Sequence, residues 1–329
     1  MNIILILTLL AVLVAEFVNG WTDAPNAITT VVSTKVMTPR QAVIMAVILN
    51  ILGTLSGTAV AYTIGKGIVD ISAVTPVIIL IAMISLILWS SVAAKFGIPT
   101  SESHALVAGL TGAVLYTAGP HALIASGWLK VAYGLMASVI LGFGISWLIS
   151  KLIILISPLF TGKQSYVVYG RLQIFSSMFM AYNHGLNDGQ KFIGIFAMAL
   201  VVGNILPQFA VPVWVIILCS VIMGIGTSIG GWKIIKKVGM EMANLKPWQG
   251  FASETGASIT ILLASLFGIP LSTTHTINSA IMGSAGAQGL KKVNWHIVGN
   301  IVVVWLLTFP GCALIAYILT WLVRIIFKV

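Results

Sequence analysis

Residues 97–113 read "GIPTSESHALVAGLTGA", and residues 268–285 read "GIPLSTTHTINSAIMGSA". Aligned without gaps, the two share Gly97/Gly268, Ile98/Ile269, Pro99/Pro270, Ser101/Ser272, His104/His275 and Gly112/Gly283, always 171 residues apart in a chain of 329. A spacing near half the chain means that one half echoes the other. In each copy a proline presets the backbone, and hydroxyl residues (Ser101 and Ser103; Ser272, Thr273 and Thr274) follow as natural helix N-caps. A helix starting there leaves about four backbone N–H groups without intrahelical acceptors, on the positive end of its dipole. That is an anion site. The hydroxyls add donors without adding charge, which permits release as well as capture.

The surroundings of these polar pieces are apolar. Hydrophobic residues make up 59% of the chain and charged residues 7%, with a mean hydropathy of +1.08. Such a chain could not cover a compact globule with polar surface. We therefore expect an all-α integral membrane protein, multi-pass in the cell membrane, with apolar segments at 3–18, 42–64, 74–94, 129–156, 174–202, 211–229, 251–267 and 297–326. The first of these lacks a basic leader and carries Glu16, so it reads as a retained span rather than a signal peptide. Cys219 and Cys312 lie in apolar runs and read as buried free thiols. Lysine and arginine outnumber acids 17 to 7, for a net charge of +10. Bases flanking the spans suit anionic lipid head groups, and their field favours anion entry. Because they are scattered between spans, nucleic acid is excluded as a partner. The basic stretches 236–250 and 157–171 are expected as cytoplasmic loops. No Walker loop, His-Glu-x-x-His helix or nucleophile elbow occurs, so no enzyme and no cofactor is expected.

A second pair of echoes opens the halves: "NGWTDAPNA" at 19–27 and "HGLNDGQKF" at 184–192, with Asp23 and Asp188 165 residues apart. Each half thus runs in one order: helix, Gly-x-x-Asp break, two helices, Gly-Ile-Pro-x-Ser element, helix. The halves are read as two homologous repeats, 1–160 and 171–329, forming one transport domain. Polar breaks in apolar helices cost several kcal/mol in lipid unless protein, water or a ligand meets them. Discontinuous helices at corresponding places in two repeats point to a transporter's binding site. About 20 residues follow each Gly-Ile-Pro element, too few for two crossings, so re-entrant helical hairpins are expected at about 98–119 and 269–289.

Seven acids are present, and five (Glu16, Asp23, Glu102, Asp188 and Glu254) lie in or beside apolar segments or the repeated motifs. Ionisable groups in a membrane interior are costly and mark function by default. Asp23 and Asp188, with Asn26 and Asn187, offer hard oxygen ligands suited to sodium. A cation between carboxylate and anion would couple their movement. Proton coupling through Glu102, Glu254 or a histidine competes with it. His104 and His275 recur symmetrically but follow the cap by three residues, where a structural role outweighs ion handling.

Together these motifs resemble the PiT family of inorganic phosphate transporters and its sulfate permease relatives. "GLND" at 185–188 and "GIPLSTTH" at 268–275 match the family signatures closely, whereas the first half has Thr22 before Asp23 and "SESH" at 101–104. The resemblance implies inverted repeats, alternating access, and phosphate symport driven by a sodium or proton gradient. It also implies that Ser101, Ser103, Ser272, Thr273 and Thr274 ligate phosphate, while Asp23, Asn26, Asn187 and Asp188 hold cations or orient the anion. Glu102 falls in the implied substrate pocket, where a carboxylate would signal proton coupling, a different oxyanion or a side chain turned away. A sulfate permease is the nearest alternative; a passive anion channel or a membrane scaffold belongs to another class, and the duplicated acids argue against both. Membrane lipid, a homo-oligomer and a soluble regulatory protein stay open as partners.

Overall fold

The computed structural model describes residues 2–159 and 161–327, most of them helical, with no β-strand among them. The chain begins with α1 (Ile3–Thr22), capped by Asn2, and α2 (Pro25–Ser33). It continues through α3 (Pro39–Leu55), α4 (Ala59–Gly67), α5 (Pro76–Lys95), α6 (Glu102–Thr117) and α7 (Ala125–Ile156). The second half contains α8 (Gly162–His184), α9 (Gln190–Val202), α10 (Val213–Ile229), α11 (Trp232–Lys236), α12 (Pro247–Leu266), α13 (Thr273–Gly286) and α14 (Trp295–Phe327). Among the described residues, four helical stretches are long and apolar enough to cross a membrane, and two bent pairs, α3 with α4 and α10 with α11, qualify when each pair is one span.

Burial is inverted relative to a water-soluble globule. Leucines and isoleucines along α7 and α14, such as Leu129, Leu155, Leu306 and Ile318, face outward, while Glu16, Glu102, Asp188, Lys191 and Glu254 are buried. That is the arrangement lipid selects, since hydrocarbon solvates apolar side chains and leaves polar ones to find partners inside. α6 is buried without interruption from Glu102 to Val114, and α13 from Thr273 to Ala285.

The packing exchanges elements between halves. The short helix α6 lies against α14, and α13 lies against α7. Both contacts close through glycine. A Cβ on Gly112 would sit 2.0 Å from the Ala313 carbonyl oxygen, and one on Gly283 would sit 2.3 Å from that of Phe143. We expect Gly112→Val or Gly283→Val to destabilise the fold by about 1–3 kcal/mol or more, read as a lower melting temperature in detergent. An unchanged melting temperature would contradict this packing.

Three sequence expectations take a different form. First, 98–119 and 269–289 are not hairpins in themselves: each contains an extended tip and one unbroken helix, and the returning arm is the preceding long helix, α5 against α6 and α12 against α13. Each reversal turns on a glycine with left-handed backbone, Gly97 at φ +66° and Gly268 at φ +62°, a conformation that a Cβ disfavours. Second, the Gly-x-x-Asp motifs interrupt their helices only briefly. In the first half only Asp23 and Ala24 interrupt the helix, ahead of Pro25, which lacks an N–H; in the second, Gly185–Gly189 forms a π turn. The sharp bends lie elsewhere, 67° between α3 and α4 and 62° after α10. Third, the basic stretch 236–250 is largely helical: α11 continues as a π turn, Lys237–Glu241, and α12 begins at Pro247.

Candidate functional site

The two Gly-Ile-Pro tips meet inside the protein. Ser103 donates to the Leu271 carbonyl at 2.9 Å, and Thr274 lies 2.9 Å from the Thr100 carbonyl oxygen. These bonds are reciprocal, since Ser103 corresponds to Thr274 and Thr100 to Leu271 in the 171-residue alignment. Ser101 caps α6 by accepting from the His104 N–H at 3.3 Å, and Ser272 caps α13 through the His275 N–H at 3.1 Å. Capping uses a hydroxyl oxygen as acceptor and leaves its proton available. The remaining first-turn N–H groups, on Glu102 and Ser103 and on Thr273 and Thr274, lack intrahelical acceptors. Two positive helix ends therefore open onto one buried place. Three residues into each helix the rings of His104 and His275 lie tilted against each other, centroids 4.8 Å apart, and His275 also packs tilted against Trp305 at 3.8 Å.

Asp23, Asp188 and Lys191 are each 1% exposed, so their charges lie in the protein interior. Thr274 donates to Asp23 Oδ1, which also accepts from Asn26 Nδ2 at 2.9 Å. Thr273 lies 2.9 Å from Asp188 Oδ2 and 3.3 Å from Asp23 Oδ2, linking the two repeated acids through one hydroxyl. Asp188 Oδ1 pairs with Lys191 Nζ at 2.5 Å. That ammonium also donates to Ser103 Oγ, and to the Leu271 carbonyl at 2.8 Å. His184 Nδ1 is 2.9 Å from Asn50 Oδ1, and its Nε2 is 3.7 Å from Asp188 Oδ2. Asp23, His184 and Asp188 each bring one potential metal-ligand atom within 4.8 Å of the others. The tip hydroxyls suited to an oxyanion are thus the ones that contact the acids suited to a cation.

Of the residues expected from sequence, Asp23, Asn26, Asp188, Ser101, Ser103, Ser272, Thr273 and Thr274 share this cluster. Asn187 faces differently, donating to Ser265 Oγ at 2.8 Å and to the Ile269 carbonyl at 3.4 Å, which ties the π turn to the approach of the second tip. Glu102 starts α6, but its carboxylate turns away from the tip hydroxyls, accepting from Thr22 Oγ1 at 2.5 Å and from Ser90. Glu254 lies in a separate buried network, accepting from Thr30, from Ser176, and from Gln173 at 3.4 Å.

Sequence reasoning passed over Lys191, the most consequential residue it missed. The signal was present, because a lysine inside an apolar segment is costly unless paired.

Residues 19–316 match the family described as the phosphate transporter family. A Rhizobium meliloti protein described as a probable low-affinity inorganic phosphate transporter is 42% identical over 306 residues, covering 92% of this chain and 91% of that one. A Bacillus subtilis protein of the same description is 38% identical over 334 residues, covering 99% of this chain and all of the relative. Among solved structures, "The sodium-dependent phosphate transporter" superposes with a TM-score of 0.88 at 26% identity, covering 99% of this chain and 100% of the other.

Proposed function

Because this chain belongs to the phosphate transporter family, a family of transporters rather than enzymes, we propose that it is a cation-coupled symporter of inorganic phosphate working by alternating access. The observation that carries this reading is the reciprocal meeting of the two tips, Ser103 on the Leu271 carbonyl and Thr274 beside the Thr100 carbonyl. Phosphate would lie against the first turns of α6 and α13, taking donors from Ser101, Ser103, Ser272, Thr273 and Thr274 and from the free N–H groups. Asp23 and Asn26, beside Thr274 and the Thr100 carbonyl, supply hard oxygens for a monovalent cation. The sodium dependence named for the solved relative supports sodium as that cation.

The recurrence of the element order, and the exchange in which each short helix packs against the other half's long helix, support reading the chain as two inverted repeats. In such a scaffold the tips stay near the midplane while one bundle rocks against the other.

The test is uptake of labelled phosphate into proteoliposomes, with sodium and proton gradients imposed separately and the membrane potential held at zero. For one cation per anion, a tenfold sodium gradient stores about 1.4 kcal/mol and should drive about tenfold accumulation. Equilibration without accumulation would instead indicate a channel. Sulfate should compete poorly, because dibasic phosphate retains a proton to donate to the carboxylates and sulfate has none.

A further inference from the structure

The alignment that sets Asp23 against Asp188 sets Asn26 against Lys191. Both side chains bond the acid three residues before them, Asn26 Nδ2 to Asp23 Oδ1 at 2.9 Å and Lys191 Nζ to Asp188 Oδ1 at 2.5 Å. The surroundings correspond as well. Lys191 Nζ contacts three oxygens of the kinds that ligate sodium: a carboxylate of Asp188, the hydroxyl of Ser103 and the main-chain carbonyl of Leu271. In the other half the equivalent oxygens are Asp23 Oδ1, Thr274 Oγ1 and the Thr100 carbonyl, likewise gathered together.

The two oxygen sets differ in their protons. An ammonium carries three donors, so each oxygen around Lys191 receives one. Around the first set, that of Asp23, the donors are the Thr274 hydroxyl and the two N–H of the Asn26 amide, whose Nδ2 bonds Asp23 Oδ1 and stands 3.3 Å from Thr274 Oγ1, while Thr273 reaches only the other carboxylate oxygen of Asp23, at 3.3 Å. The Asn26 side-chain oxygen is buried there with no partner among the described residues. Counting the Asn26 side-chain oxygen, the first set has four oxygens for three protons, whereas the second has three oxygens for four, the three of the ammonium and that of the Ser103 hydroxyl. A positive ion suits the first set, while the second already contains one attached to the chain.

We propose that Lys191 is a tethered cation that permanently fills the second of two equivalent cation sites, leaving one mobile coupling sodium, held by Asp23, Asn26, Thr274 and the Thr100 carbonyl. This assignment rests on reading the site as a cation-coupled symporter. Lys191 sets the coupling ratio. Its charge stays with the protein on the return step, so each phosphate moves with one positive charge fewer than in a carrier with two mobile cations. Because Lys191 touches both tips through Ser103 and Leu271, its charge also faces the place where the anion would lie.

Equilibrium binding of radioactive sodium to the purified full-length protein, with phosphate present, tests this. The wild type should saturate at about one sodium per chain and Lys191→Asn at about two, with Asn26→Lys losing the site that the wild type retains. A wild-type count of two or of none overturns the assignment, as does a Lys191→Asn count equal to that of the wild type. If Lys191→Asn fails to fold, the wild-type count decides alone. Phosphate uptake by the same wild-type preparation separates the two failures. Uptake with a count of two removes only the role of Lys191, whereas no uptake under any cation gradient removes the symport reading beneath it.

Discussion

Asp188→Asn should abolish phosphate uptake and lower thermal stability together. The substitution keeps the side-chain shape and removes the charge that balances Lys191, whose Nζ lies 2.5 Å from Asp188 with both residues 1% exposed. A buried ammonium that loses its counter-ion costs about 3–5 kcal/mol, a large part of the roughly 5–15 kcal/mol that holds a typical domain together. Neutralising both partners leaves no orphaned charge. Asp188→Asn with Lys191→Gln should therefore recover most of the melting temperature, while uptake stays down by about a hundredfold or more, the equivalent of about 3 kcal/mol. Melting followed by size-exclusion chromatography and uptake in proteoliposomes separate these effects. A single variant that melts and transports like the wild type would contradict the pairing. A double variant no more stable than the single one would show that loss of charge balance is not the cause.

The second large effect is expected at Thr274. Its hydroxyl bonds Asp23, lies 2.9 Å from the Thr100 carbonyl oxygen of the opposite tip, and belongs to the proposed anion and cation contacts. Thr274→Val keeps the volume and removes the hydroxyl. A hydrogen bond to a charged group contributes about 1.5–3 kcal/mol, so the phosphate concentration for half-maximal uptake should rise about tenfold to a hundredfold. Thr274→Ser restores the hydroxyl and should stay close to wild type. If valine and serine behave alike, the hydroxyl has no part in binding.

Much of this arrangement is legible in the amino-acid sequence, and the parts that are not share a physical cause. Duplication put Asp23 opposite Asp188 and Ser101 opposite Ser272, and helix N-cap chemistry said what those serines would do: both cap, each accepting from the histidine three residues on. The membrane class followed from composition, because a chain with 7% charged residues has no soluble alternative. Side-chain direction was harder. Glu102 and Asn187 sit in the expected motifs yet turn toward Ser90 and Thr22, and toward Ser265 and Ile269; adjacent residues on a helix point to different neighbours, and spacing alone does not name them. Lys191 was hidden by reach. Its long stem carries the charge across to the opposite tip, so its partners Ser103 and Leu271 are 80 or more residues away in sequence. The bend between α3 and α4 lies at Ser56–Gly57–Thr58, inside an apolar run that resembles one span until the break is located.

The account depends on an oxyanion lying between the two tips. Arsenate has the shape and charge of phosphate, and its arsenic atom scatters anomalously, so a crystal grown with arsenate and sodium would locate the anion directly. The expected anomalous peak lies within hydrogen-bonding reach of Ser101, Ser103, Ser272, Thr273 and Thr274, at the joint beginnings of α6 and α13. A peak elsewhere in the membrane interior, with no density at that joint, would contradict it.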